Sequence, residues 1–165
     1  MNEAARELRP AVAGVGFPQV LMTLPREATV LAFDYGTRRI GVAIANTIVR
    51  TARPLKTIDA PDNDARFAAI AALIGEWRPD QLVVGVPVHA DGTDHAMTRR
   101  ARRFARQLAG RFRLPVAEAD ERYTTQAAAS ELERASPGGR RARAERDAVA
   151  AQFILQAWLD EREER

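Results

Sequence analysis

VLAFDYGTRRIGVAIANT, residues Val30 to Thr47, begins with four consecutive apolar residues, runs straight into a carboxylate and then turns past two arginines. A run apolar on both faces is the pattern of a buried strand. Beyond the turn, Ile40, Val42 and Ile44 alternate with the small residues Gly41, Ala43 and Ala45, which predicts a second strand folded back on the first as a hairpin. Gly36 permits the tight turn. Asp34 ends a strand with no polar face, so its carboxylate is expected to be partly desolvated, a costly position unless a cation or hydrogen-bond donors compensate. An Asp before a Gly also commonly caps a turn through its own backbone, and the hairpin alone fits either reading. Alternation lets one of Arg38 and Arg39 face a substrate, and Arg38, nearer the turn, is the expected one.

Outward from the hairpin, Ile48 to Ile58 reads as a third extended segment, with Pro54 favouring an edge position. Phe67, Ile70, Ala71, Ile74 and Trp77 recur at helical spacing up to Pro79. QLVVGVP, Gln81 to Pro87, reads as a buried parallel strand. Thr93 to Leu108 is helical, with Met97, Ala101, Phe104 and Leu108 on one stripe. Pro115 to Glu121 reads as a strand, Thr125 to Ala135 as a helix, SPGGRRAR (Ser136 to Arg143) as a mobile basic loop, and about Ala144 to Arg162 as the last helix. Right-handed crossovers after an antiparallel hairpin set predict an α/β fold: a five-stranded mixed sheet of order 3-2-1-4-5, strand 2 antiparallel, with helices on both faces. Ligands on such sheets bind at the carboxyl ends of the parallel strands, where Asp34, the loop after Pro87 and Glu121 gather.

At 165 residues the chain suits one domain with a full core. Residues 1–27 lack periodicity and are expected to be a flexible extension, with residues 28–162 forming the single domain. Met22 is an alternative natural start, which an intact mass of the native protein would decide. No apolar run approaches membrane-spanning length, and the absence of Cys removes disulfides and thiolate chemistry. A cytoplasmic location is expected. The formal charge is only +3, yet the pI is about 10.1, because Lys56 is the sole lysine among 25 basic residues. Between His95 and Ala117 there is no acid, while seven arginines fall in that window (99, 100, 102, 103, 106, 111 and 113). Arg matches phosphate through its planar fork, so nucleic acid is the expected partner. A solvated Arg-rich surface would leave the same composition.

Two further acids sit where a core is expected. Asp147 leads the helical stripe Asp147, Ala151, Ile154, Trp158 and therefore points inward; a first-turn acid serving the helix dipole is the alternative. In ADERYTT, Ala119 to Thr125, Asp120 and Glu121 alternate faces, and Glu121 shares its face with the small residues Ala117 and Ala119. Arg122 is placed to hold phosphate. One of Thr124 and Thr125 should cap the next helix, and Thr124 is also a candidate substrate contact. Arg140 and Arg141 in the basic loop complete the candidate substrate-binding set. Three carboxylates gathered from two strand ends and a helix would repel one another without a cation, and all-oxygen ligation suits magnesium or manganese. Asp34, Glu121 and Asp147 are the expected ligands and catalytic residues. Two ions roughly 3.5–4 Å apart could activate water and stabilise the leaving oxygen of a phosphodiester, leaving a 3′-hydroxyl and a 5′-phosphate.

These residues resemble the YqgF (RuvX) family of nucleases, which have a ribonuclease-H-like (RNase H-like) fold related to the Holliday-junction resolvases. The resemblance runs from Thr29 to about Glu161 and rests on FDYGTRRIGVA, TARPL, VVGVPVHADG, DERYTT and RDAVAA in that order. It implies maturation of the 5′ end of the small-subunit ribosomal RNA precursor (pre-16S rRNA) in ribosome biogenesis, with branched-DNA cleavage proposed for some relatives; a junction cutter would need two sites, hence a homodimer. By match, Asp34, Glu121 and Asp147 take the positions of the acidic trio. His89 stands where such sequences usually carry Asn, and both His89 and His95 read as solvated loop residues. A non-catalytic RNA-binding assembly factor is the rival reading. Actin-like ATPases and sugar kinases share the strand and Asp-x-Gly-Thr turn, but they need two such domains and this chain has one such motif.

Overall fold

The computed structural model describes residues 24–89, 91–121 and 139–163. The hairpin pattern appears as β1 (Thr29–Tyr35) paired antiparallel with β2 (Arg39–Asn46), in a register that sets Asp34 opposite Gly41. β3 (Arg53–Asp59) pairs antiparallel with β2 at the sheet edge, where Pro54 removes no needed donor. α1 (Asn63–Trp77), β4 (Gln81–Val86), α2 (Ala96–Phe112) and β5 (Val116–Asp120) follow, with β4 parallel to both β1 and β5. The last described element is the long helix α3 (Arg140–Glu163). The sheet order β3-β2-β1-β4-β5, with only β2 reversed against the parallel strands beside it, is the one expected from the crossover rules.

The pleat sorts side chains onto two different cores. Leu31, Phe33, Ile40, Val42, Ile44, Leu82 and Val84 face α1 and α2, where Phe104 fills the centre against Phe33 and Phe67. Val30, Ala32, Ala43, Ala45 and Val83 face α3, which covers them with Ala151, Ile154, Leu155 and Trp158. Small residues on this second face let the helix lie almost on the strands. A Cβ at Gly41 would come 1.8 Å from the carbonyl oxygen of Asp147, and one at Gly85 would come 2.4 Å from Cδ1 of Ile154. Thr57 of β3 donates its hydroxyl to the Ala144 carbonyl and pins the start of α3 to the sheet edge.

Local chemistry sets the ends. Asp62 accepts the Ala65 N–H at 2.8 Å to start α1, and Arg78 closes it in the left-handed region (φ 47°) just before Pro79. α2 starts at His95, whose Nδ1 accepts from Met97 N–H while its own N–H donates to Thr98 Oγ1. His95 is thus a half-buried helix cap rather than a solvated loop residue. Four other expectations are corrected. The third strand begins at Arg53 because Asn46 to Arg50 form a turn, with Arg50 N–H bonded to the Asn46 carbonyl. In α1 Ala71 is exposed, and the buried stripe runs through Arg66, Phe67, Ile70 and Leu73. The fifth strand stops at Asp120, leaving Glu121 in a short helical turn. Arg140 to Arg143 are helical, not loop, because α3 starts directly after Gly139 (φ 110°). The expected 125–135 helix, residues 136–138 of the basic loop and most of the N-terminal extension lie outside the described residues; Leu24, at its inner end, packs against the α3-side core.

Candidate active site

The close seating of α3 creates the site. Asp34, one residue before the end of β1, lies on the face that α3 covers; Gly41 is its partner across the hairpin, and Asp147 lies on the bare backbone of Gly41. A side chain at position 41 would hold the helix off the sheet and Asp147 away from Asp34. On the other side of β1 the same logic repeats. Ala117, Ala119 and Glu121 share the α3 face, and the Glu121 carboxylate lies over Gly85, 2.8 Å from where a Cβ would stand. Three acids distant in sequence thus converge at the carboxyl end of the parallel strands.

Their electrostatics record that convergence. The Asp34 carboxyl is raised from its ordinary 3.8 to about 7, chiefly by burial, then by the negative charges of Glu121 and Asp147. Burial, with the neighbouring Asp120 carboxylate, also raises Glu121 above the usual carboxylate range. Asp147 has a cationic partner: Arg39 Nε donates to its Oδ2 at 2.6 Å, with the two side chains 29% and 26% exposed. That bond holds Arg39 more firmly protonated than usual.

Arg39, not Arg38, is therefore the hairpin arginine on the acid face. Counting back by twos from Gly41 reaches Arg39, whereas Arg38 stands exposed in the bend before β2. Arg140 and Arg141 lie exposed in the first turn of the helix that carries Asp147; Arg141 makes an i,i+4 pair with Glu145 at 3.4 Å, and Arg140 lies two turns before Asp147 along that helix. Arg122 and Thr124 are outside the described residues.

The donor set fits a hard divalent cation in chemistry and charge. It offers carboxylate oxygens alone, and the burial and repulsion that lift Asp34 are what a cation would offset. Among the described residues no three His, Cys, Asp or Glu side chains are close enough to share one ion, and Asp147 is engaged by Arg39. The guanidinium supplies part of the compensating charge in this conformation.

Comparison with known proteins gives consistent matches. Residues 28–161 match the family described as RuvX, Holliday junction resolvase. A protein of Nitrosomonas europaea is 56% identical over 139 residues, 84% of this chain and 94% of its own length, and one of Dechloromonas aromatica is 54% identical over 132 residues, 80% and 90% of the two chains; both are named as candidate pre-16S rRNA nucleases. Among solved structures, Thermus thermophilus RuvC in complex with a Holliday junction superposes with a TM-score of 0.52 at 19% identity, covering 83% of this chain and 96% of that one. The likeness shows the RNase H-like fold.

Proposed function

The chain belongs to the RuvX family, and from that premise we propose that it is a divalent-metal-dependent nuclease that hydrolyses phosphodiester bonds to mature the 5′ end of pre-16S rRNA in the cytoplasm. The observation that carries this reading is the convergence of Asp34, Glu121 and Asp147 at one end of the sheet, with Asp34 raised to about 7 by burial and by the other two. Those three side chains would hold magnesium or manganese, which when bound supplies an activated water and stabilises the leaving oxygen. The rest belongs to the chain itself. Gly41 and Gly85 let α3 and Glu121 close on Asp34, and Arg39 holds the Asp147 carboxylate in a fixed orientation until the substrate and its counter-ions arrive. Arg38, Arg140 and Arg141 are exposed and are proposed to meet phosphate, with Arg122, between the acids and a helix start in sequence, and Thr124 as further proposed substrate contacts. Among the described residues no helix is long and apolar enough to cross a membrane.

The names of the relatives favour ribosomal RNA; the RuvC likeness speaks for the fold. The test is cleavage of a 5′-extended pre-16S transcript and of a four-way DNA junction, with and without magnesium, by the wild type and by Asp147→Asn. Cleavage of the transcript alone supports the proposal. Cleavage of the junction alone by a homodimer would move the substrate to branched DNA, and metal-independent RNA binding without cleavage would leave an assembly factor.

A further inference from the structure

On the sheet face away from α3 there is a second basic feature. Tyr35 follows Asp34 directly, so by alternation its side chain points to the α1 and α2 side of the same sheet end. There it lines a cleft of about 190 Å³ together with Asn63, Arg66, Arg100, Arg103 and Gln107. Arg66 is 5% exposed, with its guanidinium 5.7 Å from the Tyr35 ring and one terminal nitrogen donating to the Thr37 carbonyl. Its buried Nε has no hydrogen-bond partner.

A buried cation is costly unless it is paired. Among the described residues Arg66, Arg100 and Arg103 make no ion pair with any carboxylate, and Arg100 and Arg103 are exposed. Their neighbour Arg102 shows the contrast: it leans to the other side of α2, where Asp94 and Glu118 neutralise it at 2.6 and 3.4 Å. The acids flanking Asn63 do not pair with Arg66, Arg100 or Arg103: Asp62 caps α1 through the Ala65 N–H, and Asp64 is exposed in the first turn. Among the described residues, three guanidiniums facing one cleft thus have no ion-pair partner of the kind their neighbour has. Arginine forks and an amide at each side (Asn63, Gln107) suit the oxygens of a phosphate.

We propose that this cleft binds a backbone phosphate of single-stranded nucleic acid, on the same strand as the scissile phosphate but beyond it, across the sheet end from Asp34. The inference rests on the nuclease reading for its orientation, but not for its detection. The test measures binding of a short fluorescent single-stranded RNA in EDTA across a salt series. Arg100→Ala/Arg103→Ala should make the dependence of log K on log salt shallower by about 0.7 for one lost phosphate contact. Arg162→Ala, at the far end of α3, should leave it unchanged. The Arg66 Nε–H resonance should shift when the RNA is added to wild type. An unchanged slope in the double variant, or an unmoved Arg66 resonance, overturns the proposal. So does an equal shift with uridine monophosphate at matched phosphate concentration, which would assign the cleft to free nucleotide. Arg66→Met should also weaken binding; if it fails to fold, the double variant and the resonance decide. Binding with the predicted slope change but no magnesium-dependent cleavage sinks the nuclease reading alone, whereas cleavage with an unchanged slope sinks this one alone.

Discussion

Replacing Asp34 by Asn should make the metal-free protein more stable, although it removes a central residue of the proposed site. Unfolded, Asp34 ionises near its ordinary 3.8; folded, it does so at about 7. Between these values the native state holds the extra proton, so stability falls as pH rises through that window, and above about pH 7 the full penalty stands. The gap of about three pH units corresponds to roughly 4 kcal/mol at about 1.4 kcal/mol per unit. Asn carries no charge, so Asp34→Asn should recover up to that amount in EDTA near pH 8.5, a rise in melting temperature of roughly 10 °C for a domain of this size. Near pH 5 the gain should fall below half, and well below pH 3.8 it should vanish. Thermal melts of both proteins at these pH values check it. An unchanged or lower melting temperature at alkaline pH, or a gain independent of pH, would refute the claim that Asp34 is buried among like charges.

Arg39→Gln leaves Asp147 beside the other acids without its 2.6 Å partner, and in EDTA it should cost about 2 kcal/mol by chemical denaturation, with added magnesium restoring more stability to the variant than to the wild type. Gly41→Ala sets a Cβ against the Asp147 carbonyl at 1.8 Å, so α3 must lift; a stability loss of about 2 kcal/mol or more and loss of cleavage are expected, whereas Gly75→Ala, with nothing within 4 Å, should stabilise by up to about 1 kcal/mol. Phe104→Ala removes ring contacts with Phe33, Tyr35 and Phe67 and should cost about 3–5 kcal/mol in a denaturant titration.

The sheet was legible because its signals are local. The both-faces-apolar run before Asp34, the alternation of Ile40, Val42 and Ile44 with small residues, and the compact QLVVGVP segment each name a strand, and crossover handedness orders them. The convergence of Asp34 and Glu121 was legible from strand direction, and that of Asp147 from its helical stripe. What escaped were features set by the partner surface. Arg66 belongs to the stripe Arg66, Ile70, Leu73 and could have been read as inward, but a charge on an apolar stripe is ordinarily solvated, and only the cleft between α1 and α2 shows where it goes. Arg39 rather than Arg38 follows from counting from Gly41, yet the count needs the strand start, which turn chemistry does not announce. The helical state of Arg140 to Arg143 overrides a Gly/Pro-rich local sequence because α3 is anchored at Ala144 by Thr57.

The most direct test of the central claim is magnesium-dependent cleavage of a 5′-extended pre-16S transcript by wild type, Asp34→Asn and Asp147→Asn, with RNA binding measured alongside in EDTA. The expected result is cleavage by the wild type alone, abolished by chelation, while all three proteins bind the transcript. Cleavage that survives either substitution, or a wild type that binds but never cuts in magnesium or manganese, would contradict it.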